Sequence, residues 1–179
     1  MNENRAGLGY QDFETVRTQQ IFYIDKTDFI REWWENADQV TLITRPRRFG
    51  KTLNMSMMEC FFSNKYADRS DLFEGLSIWE EKSPDGDYQY RNLQGTFPVI
   101  FLSFANVKAA SYKEMLFKIT EVITDLYNKN EYLLERNLFN KKEQKYYQEI
   151  ELRMDSELAA GAIRSMAGFM QRYYGKKVI

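Results

Sequence analysis

The sequence predicts an α/β protein of three layers, in which helices cover both faces of a parallel β-sheet. Short runs rich in β-branched and apolar residues occur at 40–44, 97–104 and 176–179, which is typical of buried strands. Segments with apolar residues three or four positions apart separate these runs, which is typical of amphipathic helices. We therefore expect the three runs to be parallel neighbours in one sheet.

Helices are predicted where the apolar spacing is clearest. Asp28 is expected near the start of the first predicted helix, at 28–35, because the helix dipole favours an acidic residue there. Gly175 is expected to end the last predicted helix, at 162–173, because glycine readily takes the left-handed conformation at which many helices end. A turn at 83–86 permits a hairpin. The predicted helical segments are 28–35, a helix from 51 or 52 onwards, 112–127, 131–151 and 162–173.

Length and composition limit the classes of protein to consider. With 179 residues, 44% of them hydrophobic, the chain is predicted to be a single domain with a substantial core. Residues 1–39 are assigned to an N-terminal segment and helix, and 40–179 to the α/β core. The absence of histidine and the single Cys60 exclude histidine-based catalysis, an internal disulfide and a cysteine zinc cluster.

Charge and hydropathy indicate the expected cellular location of the protein. The 25 basic and 26 acidic side chains nearly cancel, so no global field draws the molecule to nucleic acid or to an anionic membrane. The sequence shows neither a signal peptide nor an apolar stretch long enough to span a bilayer. We therefore expect a cytoplasmic protein with no membrane partner.

The triplet Gly50-Lys51-Thr52 carries the clearest chemical signal, because it lies between a predicted strand and a predicted helix. That placement is what a phosphate-binding loop, or P-loop, requires. Glycine lets the backbone approach a phosphate, and amides at a helix N-terminus point toward it. Lys51 is long enough to reach the β and γ phosphates, and the Thr52 hydroxyl can become a magnesium ligand.

The P-loop pattern is incomplete, because Arg45 stands where its first glycine is expected. A bare Gly-Lys-Ser/Thr triplet should occur by chance in roughly one in ten chains of this length. The alternative is a basic strand-to-helix turn in which a threonine caps the helix. The position of the triplet between strand and helix favours the phosphate-binding interpretation.

Arg45, Arg47, Arg48 and Lys51 place four positive charges within seven residues of an otherwise balanced chain. Arginine forms forked hydrogen bonds with phosphate, so a role facing a polyphosphate explains the concentration. For Arg45 and Arg47 a solvated basic loop is an equally good explanation. A nucleic-acid surface is disfavoured, because no aromatic stacking platform adjoins the loop.

These residues resemble those of the predicted AAA-ATPase-like family of bacterial and archaeal proteins. The resemblance covers nearly the whole chain, and its most specific part is the arginine-rich loop, where family members also replace the first glycine. The segments that carry it are Asp12-Phe13, 23–27, 42–53 and 97–104.

The resemblance implies ATP and Mg²⁺ as cofactors, and an intact protein that couples ATP binding and hydrolysis to conformational change. Lys51 is the predicted catalytic residue and Thr52 the predicted metal ligand. The predicted nucleotide-binding residues are Arg47, Arg48, Phe49, Gly50, Lys51, Thr52 and Leu53. The alternative is a non-hydrolysing nucleotide- or phosphate-binding switch for protein contacts, and a third possibility is a scaffold with a vestigial loop.

In such families the strand that resembles 176–179 continues into an acidic Walker B segment, and a nuclease-like domain often follows. The run at 97–104 ends in Ser103 and Phe104, which cannot supply the acid that holds magnesium. We therefore expect the domain to be truncated at the start of the Walker B strand, with very slow or absent hydrolysis by this chain alone. The expected partners are a nucleotide and either another protein or the missing C-terminal region of this one. Nucleic acid could bind only through that missing region.

The segment Tyr23-Ile24-Asp25-Lys26-Thr27 has two interpretations. Asp25 or Lys26 could lie near the nucleotide, or the segment could be a junction at which Asp25 or Thr27 caps a helix. The structural interpretation is favoured. Met55, Met57, Met58 and Cys60 are expected to fill the core rather than to form a binding surface.

Overall fold

The computed structural model describes residues 9–136 and 138–179. The described chain divides after Val99 into two compact units, each of which has its own helices. The assignment of 1–179 to a single domain concerns independent folding, and it stays a prediction.

Residues 9–99 of the first unit contain four α-helices joined by turns and short 3₁₀ helices. Its longest helix, α3, follows the arginine-rich loop directly. The helices are α1 (Phe13–Thr18), α2 (Asp28–Asn36), α3 (Lys51–Phe62) and α4 (Ser77–Glu80), and the 3₁₀ helices are Asn64–Tyr66, Ser70–Leu72 and Arg91–Leu93.

The core of the first unit is built from aromatic rings that surround the C-terminal end of α3. Phe61 and Phe62 are fully buried. The ring of Phe61 meets that of Phe73 edge-on, with centroids 5.1 Å apart, and Phe73 stacks on Phe13 at 5.3 Å. Trp34 of α2 stacks on Phe62 at 5.8 Å. Such pairs contribute about 0.5–1.5 kcal/mol each beyond the burial of their area, so they fix α3 firmly at this end.

The carbonyl groups at the end of α3 are also paired. The Gly95 amide donates to the Phe61 carbonyl at 2.8 Å, and the Phe97 amide donates to the Phe62 carbonyl at 2.9 Å. Ser63 and Phe97 form an isolated parallel β-bridge. Since the last carbonyls of a helix have no partner within it, the 95–97 segment completes the C-terminus of α3.

The second unit packs three α-helices around a core of its own. The hydroxyl of Tyr127, in α5, donates to the Ala162 carbonyl of α7 at 2.8 Å. The hydroxyl of Tyr147, in α6, donates to the Tyr127 carbonyl at 2.7 Å, so every helix of the unit is tied to another. The helices are α5 (Tyr112–Lys129), α6 (Lys141–Glu149) and α7 (Ser156–Tyr174), with a 3₁₀ helix at Glu131–Glu135.

The predicted fold class, a three-layer α/β P-loop domain with a parallel sheet, is wrong for this structure. Residues 9–136 and 138–179 contain helices and isolated bridges but no β-strand. Residues 40–44 have no regular secondary structure, and Val40 and Leu42 are exposed, at 89% and 83% of their full exposure. Residues with high strand propensity form a strand only when neighbouring strands provide a pleated surface for them to pack on. Among the described residues, the 40–44 run has no neighbouring strand.

The other two runs meet at one point without forming a sheet. The Ile100 amide donates to the Ile179 carbonyl at 2.8 Å, which is a single contact between two segments predicted to be adjacent strands. Ile100, Leu102 and Val178 pack against the helical core of the second unit. These apolar side chains therefore pack on helices, and they do not belong to paired strands.

Most of the helix predictions are confirmed. The segments beginning at Asp28, Lys51 and Tyr112 are helical, and Gly175 ends α7 in the left-handed conformation. The 131–151 prediction is only partly right, because the Asn140 side chain accepts hydrogen bonds from the first turn of α6 and begins a separate helix there. The 83–86 turn is present, with a 2.9 Å hydrogen bond from the Gly86 amide to the Ser83 carbonyl.

Within the described residues, the helices are too short or too polar to cross a membrane.

Gly95 is predicted to be irreplaceable by alanine for a reason beyond its backbone conformation. Its φ is +67°, and a Cβ built there would lie 2.4 Å from the Ala67 Cα. Gly75, with φ +75°, has no atom within 4 Å of the same position. Both alanine variants should suffer from the positive φ, but Gly95→Ala should lose about 1–3 kcal/mol more stability through the clash.

Urea unfolding of both variants and the wild type measures this difference in the free energy of unfolding. Equal losses for Gly95→Ala and Gly75→Ala would show that Ala67 does not constrain the end of α3.

Candidate functional site

The arginine-rich loop bends sharply before it enters α3. Arg48 and Gly50 both have left-handed backbone conformations, with φ of 68° and 71°. For a residue other than glycine this conformation costs roughly 1–2 kcal/mol. Strain of this kind clusters at ligand-binding sites, so the conformation of Arg48 draws attention to the loop.

Lys51, the first residue of α3, folds back across the loop. Its ammonium group donates hydrogen bonds to the carbonyl oxygens of Arg45 and Pro46, the latter at 2.9 Å. The ammonium group therefore lies against the backbone of the turn that precedes it. Two of the three N–H donors of the ammonium group are therefore occupied by backbone carbonyls.

The N-terminus of α3 lacks a side-chain cap. Gly50 stands at the capping position, and no side chain accepts a hydrogen bond from the first turn. The Asn54 amide bonds to the Gly50 carbonyl at 2.9 Å, which starts the helical pattern. The amides before Asn54 have no acceptor in the helix itself, and the helix dipole makes this end positive.

The arginine side chains of the loop are exposed to solvent. Arg45, Arg47 and Arg48 are exposed, and none of them, nor Lys51, belongs to an ion pair in the part of the chain that the structure describes. The Thr52 side chain is also exposed. The three arginines and Lys51 therefore concentrate positive charge beside the positive end of a helix.

The structure therefore places the predicted site residues in one continuous exposed turn and the first turn of a helix. It shows a side-chain contact within the loop for Lys51. The predicted nucleotide-binding roles of Arg47, Arg48, Phe49, Gly50, Lys51, Thr52 and Leu53, and the metal role of Thr52, stay predictions. Among the described residues, no group of three or more Cys, Asp or Glu side chains is arranged to hold a metal ion.

Asp25 has a structural role at the junction of α2 and α4. One oxygen of its carboxylate accepts hydrogen bonds from the amide and hydroxyl of Thr27, at 2.8 and 2.7 Å. The other accepts from the Ser77 amide at 2.7 Å. The Thr27 hydroxyl in turn accepts from the Ile78 amide at 3.1 Å. Asp25 and Thr27 thus satisfy amides at the start of α4. The predicted cap on the helix that follows this segment is not formed, because Thr27 stands at the capping position of α2 and makes no side-chain capping hydrogen bond there.

The hydrogen bonds at Asp25 change its acidity. Burial acts to raise the pKa of this carboxyl group, but the bonds from Ser77 and Thr27 outweigh it, and the pKa is lowered from its ordinary value. Both carboxylate oxygens are already occupied by donors. These hydrogen bonds account for the position and the acidity of Asp25, so a nearby nucleotide is not needed to explain either.

Residues far away in the sequence hold α3 in place. The Phe13 amide donates to the Ser56 hydroxyl of α3 at 3.0 Å, and the Tyr23 hydroxyl donates to the Met57 sulfur at 3.2 Å. Burial raises the pKa of Tyr23 to about 12. Met57 and Cys60 are fully buried, as predicted, whereas Met58 is half-buried and Met55 is exposed, so the core prediction is wrong for Met55. Sequence reasoning did not foresee Ser56, which has no signal except its polarity on an otherwise apolar helix face.

Comparison with known proteins identifies the family of this chain. The family described as "Predicted AAA-ATPase" matches residues 7–179, and the chain belongs to this family. The chain is also 28% identical over 125 residues to a protein of Azotobacter chroococcum mcd 1 named "Uncharacterized protein in vnfD 5'region". That match covers 69% of this chain but 22% of the relative, so the chain spans about a fifth of the relative's length. No solved structure matches.

The lowered pKa of Asp25 predicts how stability depends on pH. The ionised carboxylate favours the folded state above the unfolded pKa of about 3.9, and this contribution is lost as the pH falls through the lower folded value. Asp25→Asn places an amide donor opposite the Ser77 or Thr27 donors, so the variant should be less stable than the wild type at pH 7. The difference should shrink below about pH 4.

Thermal unfolding at pH 7 and pH 3 checks this prediction, with Asp85→Asn in the exposed turn as the matched control. The account of Asp25 fails if both variants melt like the wild type at pH 7, or if the deficit of Asp25→Asn is the same at both pH values.

Proposed function

We propose that this chain binds the triphosphate of ATP in the arginine-rich loop and serves as the nucleotide-binding part of an ATPase. The observation that carries the proposal is the position of the Lys51 ammonium group across the turn, on the Arg45 and Pro46 carbonyl oxygens. The membership of the family described as "Predicted AAA-ATPase" supports the same function.

The residues of the loop fit a phosphate group. Its oxygens would accept hydrogen bonds from Lys51 and from the amides of the first turn of α3, where the helix dipole is favourable. Binding would require Lys51 to exchange its two carbonyl acceptors for phosphate oxygens. Carbonyl oxygens are neutral and phosphate oxygens are charged, so this exchange favours the phosphate.

Thr52 is the proposed metal ligand. It follows Lys51 and its side chain is exposed, so its hydroxyl can bind a magnesium ion that accompanies the phosphates. Magnesium, when bound, would neutralise the phosphate charge. Arg47 and Arg48 would add forked hydrogen bonds to the polyphosphate, and the backbone of Phe49, Gly50 and Leu53 would complete the turn around it.

The energy of ATP binding and hydrolysis would drive a conformational change in a longer cytoplasmic protein. The conformational change would be transmitted to a protein partner or to the rest of that longer chain. Any contact with nucleic acid would come through the rest of the chain. The 22% coverage of the relative from Azotobacter chroococcum mcd 1 supports the expectation that further segments take part.

Replacement of Lys51 by alanine tests the proposal. The change removes the ammonium group that would bind the β and γ phosphates, and hydrogen bonds to charged groups are worth about 1.5–3 kcal/mol. We therefore expect the affinity for a fluorescent ATP analogue to fall at least about tenfold, as 1.4 kcal/mol corresponds to a factor of ten. Lys65→Ala is the matched control, because Lys65 is an exposed lysine of the same unit outside the loop.

The control should bind the analogue like the wild type. Absence of affinity in the wild type, or equal affinity in Lys51→Ala, would contradict the proposal and favour a scaffold with a vestigial loop. Release of inorganic phosphate from magnesium ATP, measured on the same samples, then distinguishes an ATPase from a non-hydrolysing switch. An ATPase releases phosphate in a Lys51-dependent manner, and a switch binds ATP without release.

A further inference from the structure

The arginine-rich loop, residues 45–50, is held in a bent shape although little packs against it. Each of these residues is exposed, whereas Lys51, the first residue of α3, is half-buried. Arg48 and Gly50 have left-handed backbone conformations, with φ of 68° and 71°, and this conformation is unfavourable for a residue with a Cβ such as Arg48. An exposed loop with such a conformation needs a further contact to keep its shape.

Lys51 supplies that contact. Its ammonium group donates hydrogen bonds to the Arg45 and Pro46 carbonyl oxygens, the latter at 2.9 Å. The two bonds join the beginning of the loop to the residue that directly follows its end, so they close the loop. In the part of the chain that the structure describes, no other side chain forms a hydrogen bond with residues 45–50.

The helix that carries Lys51 makes this closure firm. The other end of α3 is fixed by the buried rings of Phe61 and Phe62, and a helix is a rigid connection. The backbone of Lys51 therefore has a defined position relative to the core of the first unit. The hydrogen bonds from its side chain tie the exposed loop to that position.

The charges around Lys51 explain why the closure would be reversible. A cation in the first turn of a helix is disfavoured by the helix dipole, and the three arginines of the loop add further positive charge nearby. In the absence of an anion, the two carbonyl oxygens offset part of this repulsion. A ligand with several negative charges would attract the ammonium group more strongly than the neutral carbonyls do.

We propose that Lys51 is a latch: its ammonium group holds the loop closed in the empty protein, and a polyphosphate releases it by replacing the Arg45 and Pro46 carbonyls as acceptor. The empty loop is therefore autoinhibited, because the group that would bind phosphate is engaged by the loop itself. The release by polyphosphate rests on the proposed function, whereas the closure of the empty loop does not.

Limited digestion of the ligand-free 179-residue chain with an arginine-specific protease tests the latch. Cleavage after Arg47 and Arg48 requires the loop to open, so its rate follows the population of the open form. Lys51→Met keeps the length of the side chain but removes all its donors. We expect cleavage in this variant to be at least roughly tenfold faster than in the wild type, because hydrogen bonds from a charged group are lost.

Two controls accompany the digestion. Cleavage after Arg153, in the second unit, is the internal reference and should be unchanged in every sample. Lys65→Met alters an exposed lysine of the first unit outside the loop, and its loop should be cleaved at the wild-type rate. Fraying of α3 does not explain faster cleavage in Lys51→Met, since removal of a cation from the first turn favours the helix. Equal rates in wild type and Lys51→Met, or the same acceleration in Lys65→Met, would overturn the latch.

Titration of the wild type with a fluorescent ATP analogue separates the latch from the proposed function. Affinity for the analogue together with equal cleavage rates would overturn the latch and leave the ATP site standing. Faster cleavage of Lys51→Met together with no affinity in the wild type would support the closure of the empty loop, and it would overturn both the proposed function and the release by polyphosphate.

Discussion

The burial of Phe61 and Phe62 at one end of α3 is the constraint on which the candidate phosphate site depends. Both rings are fully buried among aromatic side chains, and the carbonyls of both residues are paired with 95–97. The opposite end of the same helix carries Gly50, Lys51 and Thr52 into an exposed turn. A helix is a rigid connection of about 1.5 Å per residue, so the core positions the loop even though the loop itself packs against little.

This constraint explains sequence features that have no chemical role of their own. Phe13 and Tyr23 belong to segments that resemble the family, and both contact α3 through hydrogen bonds to Ser56 and Met57. Asp25 organises the junction between α2 and α4 with both of its carboxylate oxygens. These residues support the helix and its surroundings, while Lys51 and the arginines are the groups that we propose to bind phosphate. Structural support and chemistry are therefore divided between separate segments of one unit.

The sequence was sufficient for most of the longer helices and for the location of the loop, but not for α1, α4 or the fold class. Helix periodicity and the Gly175 stop signal are local properties, so 28–36 and α7 follow from them. The β-branched run that contains Val40 and Leu42 needs neighbouring strands to become a strand, and periodicity cannot supply that information. The Lys51 contact with the Arg45 and Pro46 carbonyls, and the bond from Phe13 to Ser56, are likewise invisible to spacing because they depend on the turn and on packing across many residues.

Hydrogen exchange of the backbone amides, measured by mass spectrometry with and without magnesium ATP, tests the central claim most directly. The account predicts that ATP slows exchange in 47–54, at the loop and the uncapped start of α3, and leaves the buried 57–62 part unchanged. The same experiment with Lys51→Ala should show no slowing in the loop. Unchanged exchange of 47–54 at ATP concentrations that saturate the protein, or slowing confined to other segments, would contradict the assignment of the loop as the phosphate site.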